Sequence, residues 1–125
     1  ASLLWQSRLA VRAIFSGYLG WFDGNATNLF PLNDAQEAQR IVKLAGGEDA
    51  LADLIVGAIN EKDYQWAAML CDYLLVVDPK NKTVMLRKAD ALTALAQDKL
   101  TTTARNYYLS SAIELRKRAS ALASE

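Results

Sequence analysis

Apolar residues recur at three- and four-residue steps along almost the whole chain, and no useful stretch alternates apolar with polar. That period belongs to helices packed by one face, so the pattern predicts an all-α fold of about six helices. In the first, from Ser2 to Leu19, a stripe of Leu4, Val11, Phe15 and Tyr18 is joined by Leu3 and Ile14. Trp5 widens it beyond what one neighbour usually covers, which hints at contact outside the domain. Ser2 suits its N-cap and Gly20 its stop. Gly17 weakens the last turn by about 1 kcal/mol relative to Ala, which suggests that something packs tightly there.

After the loop 25–32, which contains Pro31, Asp34 and Glu37 are expected to form the capping box of a second helix. It buries Ala38, Ile41, Val42 and Ala45, and Gly46-Gly47 stops it. A third helix spans roughly Asp49 to Lys62, with Leu51, Leu54, Ile55, Ala58 and Ile59 on one side. The fourth, Tyr64 to Val77, is apolar almost all round through Trp66, Ala67, Leu70, Cys71, Leu74 and Val77, and so is expected at the centre of the packing. Asp78-Pro79 ends it, because the residue before proline avoids the α region. Asn81 or Thr83 restarts a fifth helix, to about Gln97, through Leu86, Ala89, Leu92, Thr93 and Leu95. Thr101-Thr102-Thr103 caps a last one, with the stripe Tyr108, Ala112, Leu115, Ala119 and Leu122, fraying into the final Ala-Ser-Glu.

The middle helices carry a repeat-like signature. Leu54, Ala67 and Pro79 fall at the Leu, Ala and Pro positions of the tetratricopeptide pattern, and Asp63-Tyr64 supplies the turn inside the hairpin. The pattern's Trp, Gly and Tyr positions hold Leu51, Ile55 and Ala58. One tetratricopeptide-like hairpin and a degenerate second one result, so the N-terminal helices are expected to cover an exposed end.

Fourteen basic residues balance fourteen acidic ones in 125 residues, which suits a single domain, residues 1–125, and leaves no field to hold nucleic acid or an anionic membrane. Uncharged apolar runs such as Tyr73 to Val77 are far too short to span a bilayer. Arg8 and Arg12 interrupt the first apolar stretch, so no signal peptide is read there. Histidine is absent, which removes the commonest general base and the commonest zinc ligand together. The single cysteine, Cys71, has no internal disulfide partner. The opening Ala-Ser-Leu-Leu-Trp, without an initiator Met, suggests a piece of something longer.

The candidates for chemistry are few. Glu48 with Asp49, and Glu61 with Asp63, sit at helix ends, where acids cap far more often than they catalyse. Arg8 and Arg12 could grip an anion, yet such pairs more often form a solvated face. Arg116, Lys117 and Arg118 make a basic patch near a helix C-terminus; Tyr107-Tyr108 beside Arg105 and Asn106 suits an interface or simple packing. Cys71 is most simply a small core residue. The stretch from Gly17 to Asn25 stands apart, with three aromatics and three glycines in nine residues. Its rings either plug the domain's own core or a subunit contact, or meet a ligand.

Val11-Arg12-Ala13-Ile14-Phe15, followed by Gly20-Trp21-Phe22-Asp23-Gly24-Asn25, resembles the opening of the dimerisation domain of the alkylsulfatases with a metallo-β-lactamase-type catalytic domain. Leu44-Ala45-Gly46-Gly47, Asp63-Tyr64-Gln65-Trp66-Ala67-Ala68 and Arg105-Asn106-Tyr107-Tyr108-Leu109 through Glu114-Leu115-Arg116 agree in order and cover nearly the whole chain. Ala26 departs, where many relatives carry proline.

The resemblance implies a homodimer whose parent hydrolyses alkyl sulfate esters. That parent would hold a binuclear zinc domain upstream and a sterol-carrier-like domain downstream of this helical one. The chain itself would then be non-catalytic, with no cofactor of its own and the zinc elsewhere. A periplasmic or secreted location is implied rather than a cytoplasmic one. Trp5, Val11, Phe15, Trp21 and Phe22 are the expected dimer contact, and Tyr18, Trp21, Phe22 and Asp23 the expected substrate-proximal group in the parent. The alternative reading is a free-standing tetratricopeptide-like adaptor for peptide segments. Such a groove needs polar inner faces, whereas these are Leu, Ala, Ile and Val. A third, remote option is a carboxylate enzyme.

Overall fold

The computed structural model describes residues 24–98 and 101–123, and the chain divides into two units, Ala1–Glu37 and Ala38–Glu125. All regular structure among the described residues is helical. A 3-10 turn, Ala26–Asn28, precedes α1 (Asp34–Ala45), α2 (Glu48–Asn60), α3 (Tyr64–Val77), α4 (Lys82–Gln97) and α5 (Thr102–Ala123). These five helices answer to the second through sixth expected from the pattern. The first, Ser2 to Leu19, lies outside the described residues.

In the first unit, Gly24 takes a φ of 84°, a left-handed conformation that favours glycine. The Asn25 side chain then accepts from the Thr27 N–H at 3.2 Å, and the Leu29 N–H donates to the Ala26 carbonyl at 3.1 Å. The helix that follows starts one residue earlier than the expected box. Asn33 Oδ1 accepts from the Gln36 N–H at 2.8 Å, and Gln36 Oε1 accepts from the Asn33 N–H at 3.2 Å. Asn33 and Gln36 are thus the reciprocal pair. Asn caps as well as Asp, and the shift moves the Asp34 and Glu37 carboxylates into the first turn, where the helix dipole favours them.

The second unit begins within α1. Two of its helix ends close in the same way, through different residues. At the end of α1 the Gly47 N–H reaches the Val42 carbonyl at 2.9 Å while Gly46 N–H reaches Lys43 at 3.1 Å, with Gly46 at φ 109°. At the end of α2 the Asp63 N–H reaches Ala58 at 2.8 Å and the Lys62 N–H reaches Ile59 at 3.0 Å. Both are Schellman motifs, which need a left-handed residue. In the second that residue is Lys62, at φ 62°. This is why α2 stops at Asn60 instead of running on to Lys62.

Asn81, not Thr83, caps α4, its side chain accepting from the Val84 N–H at 3.1 Å. Thr101 caps α5, with Oγ1 accepting from the Ala104 N–H at 3.3 Å. Consecutive helices from α2 to α5 pack on one another, and α2 also touches α4. The core forms two clusters. In one, Ala58, Ala67, Ala68, Ala89, Ala91, Ala112 and Ala119 let the backbones approach around Met85, Leu92 and Leu115. In the other, Val42, Leu51, Ile55, Leu70, Cys71, Leu74 and Val84 meet. The expected stripe of the last helix holds, with Ala112, Leu115 and Ala119 buried and Tyr108 and Leu122 packed against them.

Two expected core positions do not hold. Leu54 is half exposed, and so is Trp66. A helix of this bundle meets its neighbours over part of its circumference, and both residues sit on the remaining arc.

Candidate functional surface

Tyr18, Trp21, Phe22 and Asp23, together with Trp5, Val11 and Phe15, lie outside the described residues, as do Arg8 and Arg12. The turn they lead into is described from Gly24, and there the expected turn chemistry of Gly24 and Asn25 is present.

The other candidates resolve into structural roles. Glu48 and Asp49 occupy the first turn of α2, and Asp63 the N-cap position of α3. Arg116 does not join an open basic patch. It reaches across to α4, where its guanidinium donates to Asp90 Oδ1 at 3.2 Å and to Thr93 Oγ1 at 3.1 Å. A second pair, Lys88 Nζ to Asp72 Oδ1 at 2.6 Å, ties α4 to α3. Both pairs are exposed enough that each contributes at most about 1 kcal/mol. Cys71 is fully buried between helices, and burial, followed by the neighbouring Asp72 charge, pushes its thiol up to about 12. A thiol held protonated is a poor nucleophile.

Tyr107 and Tyr108 part company: Tyr108 packs on the core, while Tyr107 stands out over a hollow of about 440 Å³ lined by Thr101, Thr103 and Ala104. No group of three His, Cys, Asp or Glu side chains among the described residues could hold a metal ion. No described helix is long and apolar enough to cross a membrane.

The feature that sequence reasoning missed is the outer arc of α3. Helical geometry places Gln65, Trp66, Met69, Asp72 and Val76 on it, three of those five apolar or aromatic, while Tyr73 at its edge packs against the core. Trp66, Met69 and Val76 are 45%, 40% and 44% exposed. Its signal was present in a helix apolar on nearly all faces. Burial all round is one way to satisfy such a helix; an interface is another.

Comparison with known proteins gives one consistent result. The alkyl sulfatase dimerisation family model matches residues 6–118. An (R)-specific secondary-alkylsulfatase from Pseudomonas sp. is 38% identical over 106 residues, covering 85% of this chain and 16% of that protein. A linear primary-alkylsulfatase from another Pseudomonas strain is 39% identical over 106 residues, 85% of this chain and 20% of its own length. The alkyl/aryl-sulfatase BDS1 of Saccharomyces cerevisiae is 36% identical over 107 residues, 86% and 17%. Among solved structures, the stereoselective inverting sec-alkylsulfatase Pisa1 from Pseudomonas sp. superposes with a TM-score of 0.72 at 38% identity, covering 85% of this chain and 17% of that one. The chain therefore spans about a fifth or less of the length of these relatives.

Proposed function

Because the chain belongs to the alkyl sulfatase dimerisation family, we propose that it is the helical self-association module of a larger sulfuric ester hydrolase and is non-catalytic by itself. The observation that carries this reading is the family match over residues 6–118, in a chain that spans only 16–20% of its alkylsulfatase relatives. In the parent, a separate domain holds the zinc and hydrolyses alkyl sulfate esters, and a sterol-carrier-like domain follows. The helices from α2 to α5 act as a stack of tetratricopeptide-like hairpins; the contact of α2 with α4 across α3 supports that arrangement.

Self-association uses the apolar N-terminal stretch, with Trp5, Val11, Phe15, Trp21 and Phe22 in the contact. Tyr18, Trp21, Phe22 and Asp23 approach substrate in the parent. Sedimentation of the 13.8 kDa chain tests the first part: twice that mass is expected, with Trp21→Ala weakening the dimer. A monomer at every concentration would sink the reading, as would turnover of an alkyl sulfate by the purified chain.

A further inference from the structure

We propose that a hollow between the α3–α4 turn and the last turns of α5 binds a free single-chain amphiphile, with Lys80 and Arg118 holding its anionic head and Met85 and Leu122 flooring its chain. The hollow has a volume of about 220 Å³ and is lined by Pro79, Lys80, Met85, Arg118, Ala121 and Leu122. Apart from the two cations its lining is apolar, and it contains no carboxylate. The sequence builds it from local pieces. Asp78-Pro79 ends α3 and Asn81 caps α4, which leaves Pro79 and Lys80 exposed in the turn between them. Met85, in the first turn of α4, is 2% exposed, and Leu122 of α5 packs on the cluster that contains it.

The state of the cations is the second ground. Arg116 and Lys88 are satisfied within the fold, by Asp90 and Asp72. Lys80 and Arg118 make no ion pair with a described residue. Arg118 stands more than a full turn before Ala123, the end of α5, so the helix dipole does not account for it. Two unpaired cations from separate elements, set around an apolar floor, match an anionic head with a hydrocarbon tail. The head stays at the wet rim while the tail lies against Met85, Leu122 and the aliphatic stems of the cations themselves. Neighbouring hollows lack the combination. No charged residue lines the one under Tyr107, and the next along α5 sets Glu114 beside Lys88 and Arg118.

Size fixes the ligand further. Water takes about 30 Å³ per molecule and a methylene nearly the same, so 220 Å³ has room for roughly seven carbons. That is less than the ~300–1,000 Å³ of a drug-sized pocket and suits one chain, not two. A ligand of this size binds with a Kd on the order of 1 mM. Binding here breaks no bond and does not depend on self-association.

The test titrates butane-, hexane-, octane- and decanesulfonate, each below its micelle-forming concentration, into the 125-residue chain. Amide chemical shifts from nuclear magnetic resonance follow the binding. Affinity is expected to rise about two- to fourfold per methylene and to level at roughly seven or eight carbons, with shifts centred on 79–85 and 118–122. Octanoate should bind like octanesulfonate, because two cations on flexible stems read charge rather than head geometry, whereas octan-1-ol should bind at least about fivefold more weakly. Arg118→Gln and Lys80→Gln should each weaken octanesulfonate by about three- to fivefold, the size of one exposed ion pair. Lys117→Gln removes an adjacent cation that does not line the hollow and should change nothing. Ala121→Leu partly fills the hollow and should bring the levelling about three carbons earlier. That pattern establishes the site. Affinity that climbs through decanesulfonate without levelling, or that both cation variants leave unchanged, is adventitious detergent binding and overturns it. So does octan-1-ol binding as tightly as octanesulfonate, or the lack of any saturable shift.

Discussion

Lys62 offers a sharp test of the backbone reasoning, because it should reverse a familiar ranking. Alanine is the best helix former and glycine nearly the worst, by about 1 kcal/mol in a helix interior. Lys62 is the left-handed residue of the Schellman motif that ends α2, at φ 62°, with its N–H on the Ile59 carbonyl and the next N–H on Ala58. For an L-residue with a Cβ that conformation costs roughly 1–2 kcal/mol, and glycine escapes the cost. Against this, glycine loses more backbone freedom on folding, about 0.5–1 kcal/mol. The exposed Lys62 side chain drops out when Lys62→Gly is compared with Lys62→Ala, since both variants lack it. The difference leaves Lys62→Gly more stable than Lys62→Ala by about 0.5–1 kcal/mol. With a urea m-value of about 2 kcal/mol/M, the midpoint moves by roughly 0.3–0.5 M. Urea unfolding followed by far-ultraviolet circular dichroism, at one protein concentration for both variants, reads that shift. If Lys62→Ala equals or exceeds Lys62→Gly, the turn between α2 and α3 is not held in the left-handed conformation and the argument fails.

Other expectations follow from the core and the caps. Leu74→Ala, at a side chain 1% exposed in the cluster that joins α1, α2, α3 and α4, should cost about 2–5 kcal/mol, read as a lowered urea midpoint. Asn81→Ala removes the side-chain acceptor for the Val84 N–H and should cost about 1 kcal/mol, with Asn81→Gly close to wild type. The Cys71 thiol is raised in the folded chain to about 12 from an ordinary 9.0, so folding disfavours the thiolate. Its contribution is full below pH 9.0 and is lost as pH rises toward 12, so Cys71→Ala should flatten the alkaline fall in stability. The native thiol should likewise resist alkylation at neutral pH until the chain is unfolded; rapid labelling of the folded protein would contradict its burial.

The sequence carried most of the helical boundaries because capping and stopping are local chemistry. Tyr64 to Val77 was legible to the residue: Asp63 stands at the N-cap position, though its side chain makes no capping hydrogen bond, and Asp78-Pro79 ends the helix through the backbone next to it. Gly46-Gly47 was readable for the same reason, while the sequence offered Asn81 or Thr83 and the structure selects Asn81. Where two residues offered the same chemistry, local reasoning chose the wrong one: Asp34 with Glu37 and Asn33 with Gln36 have the same three-residue spacing, and only the folded backbone selects the earlier pair. Nothing in the residue type marks Lys62 as left-handed, because lysine is a common helix residue.

The sequence by itself determined the helical period, most of the helix ends and the family, since each rests on residue types at fixed short spacings. The tertiary structure decided which apolar residues are core. Leu54 and Leu51 look alike in a helical stripe, yet one is half exposed and the other has no exposed surface. Trp66 and Leu70 differ in the same way on α3. Periodicity says that a helix has an apolar face, but a helix apolar almost all round has no face to read. Which arc meets α2 and α4 and which is left outside is set by where those helices lie, and that depends on contacts between residues far apart in the chain.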